Sequence, residues 1–394
     1  MKVPLLDLKA QYATIEDEIN VAVASVLKSQ HFILGPVVAA LEEEIARYVG
    51  VKYAVGVASG SDAILTALMA LRVGSAGGGK LTDAVITTPY SFFATAGYIT
   101  RAGAIPIFVD VDPVTLNIDP AKLESFLSGL EESGGSFKTK NGLTVKGVMP
   151  VHLYGQMADM APIVETASNY NLSIIEDAAQ AIGAKYRDKY AGSIGDFGTF
   201  SFFPSKNLGG FGDGGMITTN SSDHFERLKM IRNHGSKPKY FHKIVGLNSR
   251  LDALQAAILR VKLKYLDGWT TARRKNADTY RELFRSAGLA APKGVVTLPQ
   301  EVEHRYHIYN QFVLSVPERD KLREHLADSG VATEIYYPLP LHLQECYKDL
   351  NYAKGDFPVS EGAAVTSLAL PVYPELTGDA IEYVVNTISE FFKK

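Results

Sequence analysis

The sequence predicts an α/β fold, in which a large domain with a mostly parallel sheet flanked by helices precedes a smaller C-terminal α+β domain. Short apolar runs alternate with helical patterns from residue 53 to residue 219, as expected when crossover helices cover a parallel sheet. A length of 394 residues leaves room for two or three domains, and a long helical region at 249–280 ends the alternation. We therefore predict a large domain at 1–255, with an N-terminal helical segment, and a small domain at 256–394.

The elements of the large domain follow from the spacing of apolar residues. Ile64, Leu65 and Leu68, for example, recur at helical spacing directly after the apolar run YAVGVA. The patterns predict, in chain order, helices at 11–29 and 37–49, a strand at 53–58, a helix at 61–72, a strand at 84–88, a helix at 92–101, strands at 105–110 and 146–153, a helix at 162–170, and strands at 172–177, 197–203 and 215–219.

The smaller domain has fewer recognisable elements. The run HIYNQFVLSV (307–316) predicts a strand, and the apolar spacing at 379–392 predicts a closing helix. Two glycine-rich or polar stretches of the large domain, GSAGGGK (74–80) and EESGGSFKTKNG (131–142), are predicted to be surface loops with no role in phosphate binding.

Composition and charge exclude several classes of protein. A net charge of −3 gives no reason to expect nucleic acid or a membrane surface as a partner. The single cysteine, Cys346, excludes a disulfide framework and a thiolate metal site, so no metal is expected. No run reaches the ~20 apolar residues of a membrane span, and MKVPLLDLKAQY carries the acidic Asp7 and lacks the apolar core of a signal peptide. We expect a cytoplasmic protein.

The stretch SFFPSKNLGGFGDGG (201–215) places Lys206 between a predicted strand and a glycine-rich loop. Gly210, Gly212 and Gly215 match the spacing of a dinucleotide fingerprint, but that motif requires a helix after the loop, and a strand follows here. A Walker motif is excluded because its lysine follows the glycines. Two interpretations remain, a surface lysine in a tight loop or a reactive amine that forms a Schiff base.

A carboxylate follows a second predicted strand. In SIIEDAAQ (173–180), Asp177 stands at the carboxyl end of the strand, where ligands bind in open α/β sheets. An aspartate beside a pyridine nitrogen keeps that nitrogen protonated, which makes the ring of pyridoxal phosphate an electron sink. The same aspartate is also compatible with a simple cap of the following AAQA segment.

A third site candidate lies where a strand runs into a helix. Gly60 allows a ligand to approach the backbone, and the N–H groups of Ser61 and Asp62 are placed to bind an anion such as phosphate. Ser61 is equally compatible with an ordinary helix cap. In PYSFFATA (89–96), Phe92 follows another strand, where it can stack on a flat ring or pack in the core. The four candidates together fit pyridoxal phosphate, since they supply a phosphate site, a stacking partner, a carboxylate and an amine.

The motifs SGSDA, SFFATA, VHLYGQ, IIEDAAQ, SFFPSKNLG, GDGG and GLNSRLDALQAAIL, in this order, resemble the DegT/DnrJ/EryC1/StrS family of sugar-nucleotide aminotransferases. The resemblance extends over essentially the whole chain. It implies the PLP-dependent transferase fold of type I, pyridoxal 5'-phosphate as the cofactor with pyridoxamine 5'-phosphate as an intermediate form, and a homodimer with shared active sites.

The resemblance also assigns roles to individual residues. Lys206 matches the catalytic lysine that binds the cofactor covalently and moves a proton. The cofactor contacts that it implies are Gly60, Ser61, Asp62 and Ser201 at the phosphate, Phe92 on the ring, Asp177 at the ring nitrogen, Gln180 near the ring hydroxyl, and Asn248 reaching the phosphate of the neighbouring subunit. The substrate contacts that it suggests are Arg250, Tyr337 and His342. His304 and His307 are expected to be structural, and His152 lies near the cofactor or is packed.

The implied reaction moves an amino group from L-glutamate to a nucleotide-linked keto sugar. The segment NSRLDALQAAILRVKLKYLDGW resembles members that aminate carbon 3, so a 3-keto sugar is favoured over a 4-keto sugar. The nucleotide is not readable from the sequence. A dehydratase of the same family carries histidine in place of Lys206, and a regulatory member is expected to carry a DNA-binding module or to lack the lysine. Neither pattern is present.

Overall fold

The structure, a computed structural model, describes residues 1–393. The helices are α1 (Leu8–Ala13), α2 (Glu16–Ser29), α3 (Pro36–Val49), α4 (Gly60–Ala70), α5 (Ala94–Arg101), α6 (Pro120–Ser128), α7 (Met160–Asn169), α8 (Ser222–Ile231), α9 (Ala253–Leu263), α10 (Leu266–Ser286), α11 (Arg319–Asp328), α12 (Pro358–Thr366) and α13 (Gly378–Phe392). The strands are β1 (Tyr53–Val57), β2 (Asp83–Thr87), β3 (Ile105–Phe108), β4 (Glu131–Ser133), β5 (Ser136–Lys138), β6 (Thr144–Val148), β7 (Ser173–Asp177), β8 (Lys185–Tyr186), β9 (Lys189–Tyr190), β10 (Phe197–Ser201), β11 (Gly215–Thr219), β12 (Arg305–Tyr306), β13 (Phe312–Ser315) and β14 (Ser367–Leu370).

The central sheet has the strand order β1-β11-β10-β7-β6-β2-β3, with the β4–β5 hairpin attached to β6. Strands β10, β7, β6, β2 and β3 pair in parallel, whereas β11 runs antiparallel to both of its neighbours. Gly215 at the start of β11 consequently pairs with Val57 on one side and Ser201 on the other. The carboxyl ends of β1, β2, β7 and β10 therefore meet at one edge of the sheet, which we name the carboxyl edge.

The predicted mostly parallel sheet flanked by helices is confirmed. Two long helical regions are each divided: 11–29 lies in α1 and α2, and 249–280 lies largely in α9 and α10. The loop predicted at 131–142 is wrong, because its first part forms the β4–β5 hairpin. The turn consists of Gly134 and Gly135, both with positive φ, and a Gly-Gly pair adopts this two-residue hairpin turn without steric cost.

Of three large hydrophobic clusters, the first and the third pack on the central sheet, and the second forms a C-terminal core. The second cluster joins α10, α11 and α13 to β13 and β14, with Tyr280, Phe284 and Phe312 fully buried at its centre. Val3 belongs to the same cluster and bridges to Val331, so the first residues of the chain pack on the C-terminal core. The boundary at 255/256 stays a prediction.

None of the helices that the structure describes between residues 1 and 393 combines the length and apolar character that crossing a membrane requires.

Candidate active site

A cavity of about 400 Å³ opens at the carboxyl edge of the sheet. It is lined by residues that follow β1, β2, β6, β7 and β10, by a residue that precedes β11, and by two segments of the C-terminal part. The lining consists of Ser59, Gly60, Ser61, Ile64, Ser91, Phe92, Ala94, Val151, Asp177, Ala179, Gln180, Ser201, Phe203, Ser205, Lys206, Asp213, Gln311, Tyr336 and Tyr337. A larger groove of about 750 Å³ between α2, α3 and α9 contains none of the predicted site residues.

Lys206 lies on the turn after β10, where its backbone N–H donates to the carbonyl of Phe203 over 2.9 Å. The residue keeps some exposed surface, which faces the cavity. Burial nevertheless lowers the pKa of the Lys206 amine to about 8, and the nearby Asp177 carboxylate opposes the shift. An amine with this pKa is partly neutral near pH 7 and can act as a nucleophile.

Asp177 ends β7 and is buried, with 5% of its surface exposed. Burial raises the pKa of its carboxyl group. A hydrogen bond of 2.7 Å from the Thr95 hydroxyl and one of 3.2 Å from the Ala179 N–H act in the opposite direction, as does the charge of Lys206. The carboxylate thus has donors from two sides and a cation across the cavity, which favour its ionised form.

The start of α4 forms an anion-binding cradle. The helix begins at Gly60, and the Ser59 hydroxyl accepts a hydrogen bond from the Asp62 N–H over 3.0 Å. The Asp62 amide is therefore already occupied, which differs from the sequence prediction, and Asp62 is not among the lining residues of the cavity. The first-turn amides of Gly60 and Ser61 have no intrahelical acceptor and remain for a ligand.

The cradle is completed by Ser201 from β10. A Cβ atom added at Gly60 would lie 2.6 Å from the Ser201 Cβ, so only glycine lets the helix start lie this close to the strand. The Ser201 hydroxyl lines the same cavity as the free amides of Gly60 and Ser61. Two backbone donors and one hydroxyl at a helix N-terminus suit a phosphate monoester.

Three further predicted residues line the cavity. Phe92 is 62% exposed and is thus available to stack on a ligand. Gln180 accepts a hydrogen bond from the Tyr154 N–H over 2.6 Å and donates one to the Tyr337 hydroxyl over 2.9 Å. Its amide group retains one N–H that is not used in these contacts. Tyr337 therefore lines the cavity and is also hydrogen-bonded directly to Gln180.

The structure places the other three predicted contacts outside the cavity lining. His342 is buried against Phe357 and pairs with Glu361, with 3.1 Å between Nε2 and Oε1, so its position does not support the substrate contact that the sequence suggested. Asn248 is exposed, and Arg250 donates to the Asn233 side chain over 3.2 Å. Neither is among the residues that line the cavity.

The histidines considered in the sequence lie away from the cavity as well. His152 is fully buried, with Nε2 2.9 Å from the Glu176 carboxylate and Nδ1 accepting the Ala158 N–H over 3.2 Å. These two bonds fix the proton on Nε2 and place His152 in the packed interior. His307 is buried and stacks on Tyr309 with ring centroids 3.9 Å apart. Burial lowers the pKa of His307 to about 3, which fits a structural residue.

Several lining residues were not found by sequence reasoning. Ser91, Asp213, Gln311 and Tyr336 line the cavity, and Thr95 bonds Asp177 from α5. Ser91 and Thr95 stand in the stretch that supplied Phe92, so the spacing of hydroxyl residues around that motif was the available signal. Gln311 and Tyr336 come from the C-terminal part, and nothing in the local sequence relates them to the sheet.

The cavity fits pyridoxal 5'-phosphate on its own chemistry. A phosphate cradle, an exposed aromatic ring, a buried carboxylate and an amine with lowered pKa face one space of about 400 Å³. The phosphate would be held by Gly60, Ser61 and Ser201, and the ring nitrogen would meet Asp177. The fold and this set of residues define a pyridoxal phosphate-dependent enzyme.

The family of the chain follows from comparison with known proteins. The model of the DegT/DnrJ/EryC1/StrS aminotransferase family matches residues 13–389. The chain belongs to this family, whose members use pyridoxal phosphate.

Among curated relatives, the chain is 49% identical over 393 residues to a pleiotropic regulatory protein of Geobacillus stearothermophilus, covering 100% of this chain and 99% of the relative. It is 39% identical to a dTDP-3-amino-3,6-dideoxy-alpha-D-galactopyranose transaminase of Aneurinibacillus thermoaerophilus, covering 99% of each protein. It is 38% identical to a UDP-N-acetyl-3-dehydro-alpha-D-glucosamine 3-aminotransferase of Acidithiobacillus ferrooxidans, covering 98% of this chain and 97% of the relative.

Solved structures show the same fold. The crystal structure of DesV from S. venezuelae matches with a TM-score of 0.90 and 36% identity, over 100% of this chain and 99% of DesV. NtdA from Bacillus subtilis, solved with bound PMP, matches with a TM-score of 0.86 and 31% identity, over 100% of this chain and 86% of NtdA.

Proposed function

We propose that the protein transfers the amino group of L-glutamate to carbon 3 of a nucleotide-linked 3-keto sugar. The observation that carries the proposal is the presence of the Lys206 amine and the Asp177 carboxylate in one cavity with the phosphate cradle at Gly60. Bound pyridoxal phosphate supplies the electron sink for this chemistry.

The residues of the chain have separate tasks in this proposal. The Lys206 amine, with a pKa of about 8, holds the cofactor covalently between turnovers and then moves a proton as a base and as an acid. Ionised Asp177 stabilises a protonated ring nitrogen. Phe92 covers one face of the ring, and the amides of Gly60 and Ser61 with the Ser201 hydroxyl fix the phosphate end.

The names of two relatives favour amination at carbon 3 of the sugar. Both named sugar transaminases above, one for a dTDP sugar and one for a UDP sugar, have the 3-position in their names. A transaminase acting on carbon 4 is the alternative, and the nucleotide differs between the two relatives. A panel of dTDP- and UDP-linked 3-keto and 4-keto sugars therefore distinguishes the options.

The charge of the cavity supports a homodimer with shared active sites. Within the described chain, Lys206 is the one cationic residue that lines the cavity. Glutamate and the diphosphate of a nucleotide sugar both carry negative charge. Cations must therefore come from elsewhere. Asn248 and Arg250 of a partner subunit would supply a polar and a guanidinium group, and guanidinium binds carboxylate and phosphate in a bidentate manner.

A regulatory role is the second candidate, because the relative with 49% identity bears the name of a pleiotropic regulatory protein. A purely regulatory chain has no need for a reactive amine. The retained Lys206, its lowered pKa and its carboxylate partner favour catalysis, and a lysine at this position also argues against the dehydratases that carry histidine.

The visible spectrum of the cofactor tests the proposal. The protein loaded with pyridoxal phosphate is expected to show the band of the lysine-bound cofactor, and L-glutamate should replace that band with the one of pyridoxamine phosphate. A 3-keto sugar nucleotide should then restore the first band. A band that glutamate leaves unchanged would refute the donor, and the absence of any band from the loaded protein would refute the role of Lys206.

A further inference from the structure

We infer that Ser91 and Thr95 form a directed pair of hydroxyl groups that positions Asp177 and keeps it ionised toward the cofactor ring. The inference rests on the proposed function, since it concerns the aspartate that serves the ring nitrogen. Thr95 and Ser91 are positioning residues in this account, because they act through Asp177.

Two short contacts establish the pair. The Thr95 hydroxyl lies 2.7 Å from Oδ2 of Asp177, across 82 residues of sequence. The Ser91 hydroxyl lies 2.9 Å from the Thr95 hydroxyl. Both residues are buried, Thr95 with 1% and Ser91 with 3% of its surface exposed, so water does not compete freely for these bonds.

Hydrogen-bond chemistry determines which hydroxyl group donates in each of the two bonds. An ionised carboxylate only accepts, so the single proton of the Thr95 hydroxyl must point at Asp177. The Thr95 oxygen is then left as an acceptor, and the Ser91 hydroxyl must donate to it. A donor that itself receives a hydrogen bond is polarised and donates more strongly. Ser91 therefore strengthens the contact that Thr95 makes with the carboxylate.

The surroundings of Asp177 explain why the carboxylate needs this donor. Burial raises its pKa, and Thr95 is the largest influence that lowers it. The Ala179 N–H and the positive charge of Lys206 also lower the pKa of Asp177. The Tyr337 hydroxyl is also coupled to Asp177, and its own pKa is raised by burial, so it stays neutral.

The hydrogen bond from Thr95 to Asp177 joins two different elements of the fold. Asp177 ends β7, whereas Thr95 lies in the first turn of α5, which follows β2 and the stacking residue Phe92. The same short stretch therefore supplies both Phe92, the proposed contact of the cofactor ring, and the hydroxyl that donates to Asp177. A change in Thr95 should alter the charge of Asp177 without removing a contact of the phosphate cradle.

The test compares Thr95→Val, which keeps the shape and removes the hydroxyl, with Thr95→Ser, which keeps the hydroxyl. In cofactor-free protein labelled with carbon-13 at aspartate carboxyls, the Asp177 signal, assigned with Asp177→Asn, is titrated by NMR. Thr95→Val is expected to raise the Asp177 pKa by about one to two pH units, because a hydrogen bond to a charged group is lost. Pyridoxal phosphate should bind about tenfold to a hundredfold more weakly by equilibrium dialysis.

The controls separate positioning from packing. Thr95→Ser should restore both values, and Ser91→Ala should change them in the same direction but less. Thr100→Val, a matched change on the same helix, should leave both unchanged. An unaltered Asp177 pKa in Thr95→Val, or a Thr95→Ser variant as impaired as Thr95→Val, would overturn the inference. The titration is made without cofactor, so it is informative even if the proposed reaction is wrong.

Discussion

Gln180 and Tyr337 are joined by a 2.9 Å hydrogen bond from the side-chain amide to the phenol oxygen, although 157 residues separate them in sequence. Gln180 follows the strand that carries Asp177, and Tyr337 belongs to the C-terminal part. Tyr337 is 6% exposed and also packs against Tyr90 and Tyr154. One bond at the edge of the cavity therefore connects the sheet to the segment that closes the site.

Tyr337→Phe removes this bond and keeps the ring. We expect the free energy of unfolding to fall by about 1 kcal/mol, which is typical for a neutral hydrogen bond. Chemical denaturation with urea measures the change. Tyr53→Phe is the control, because the Tyr53 hydroxyl has no hydrogen-bond partner among residues 1–393, and it should leave the stability within experimental error. Equal losses in the two variants would contradict the expectation.

Gly60→Ala should damage the phosphate cradle. The new methyl group would lie 2.6 Å from the Ser201 Cβ and 3.0 Å from the Ser201 Cα, so helix and strand must separate. Overpacking of this kind costs about 1–3 kcal/mol, and we expect pyridoxal phosphate to bind about tenfold more weakly or worse. Equilibrium dialysis measures the affinity.

A matched glycine provides the control for this change. Gly362 lies in α12, and a Cβ atom added there has nothing within 4 Å. Gly362→Ala should retain wild-type cofactor affinity. If Gly60→Ala binds the cofactor as tightly as Gly362→Ala does, the phosphate does not occupy the start of α4.

The rate of cofactor attachment should depend on pH through Lys206. Its amine has a pKa of about 8 because of burial, and only the neutral amine attacks an aldehyde. The rate in cofactor-free protein is therefore expected to rise about tenfold per pH unit below pH 8 and to level off above it. Stopped-flow absorbance measures it, and Lys206→Arg, with the charge but no nucleophile, should show no covalent attachment. A rate that keeps rising to pH 10 would place the pKa near its ordinary value.

Mixed dimers test whether active sites are shared. Lys206→Ala and Asn248→Ala homodimers should both be impaired, since each changes one residue of every proposed site. Co-refolded in equal amounts, they should regain about a quarter of the wild-type activity, because half of the random dimers are mixed and each has one intact site. If the two residues serve the same protomer's site, mixing produces no gain.

The sequence alone determined the main features of the fold and much of the cavity. Apolar periodicity located the strands of the parallel sheet, and chemistry-bearing residues placed directly after β1, β2, β7 and β10 had to meet at the carboxyl edge. Gly60, Ser61, Phe92, Asp177, Gln180, Ser201 and Lys206 accordingly line one cavity, whereas Tyr337, which lines it too, was suggested only by the resemblance. These residues were predictable because parallel strands end at the same edge of the sheet, whatever the packing of the side chains.

The tertiary structure alone decided which partners these residues have. Thr95 reaches Asp177 across 82 residues, and Tyr337 reaches Gln180 across 157, and no local pattern encodes either contact. The use of the Asp62 amide by Ser59 and the burial of His342 beside Glu361 depended on where a helix begins and how loops pack. The physical reason is that periodicity shows on which face of its own helix or strand a side chain lies. A hydrogen bond between distant elements depends instead on how those elements pack in three dimensions.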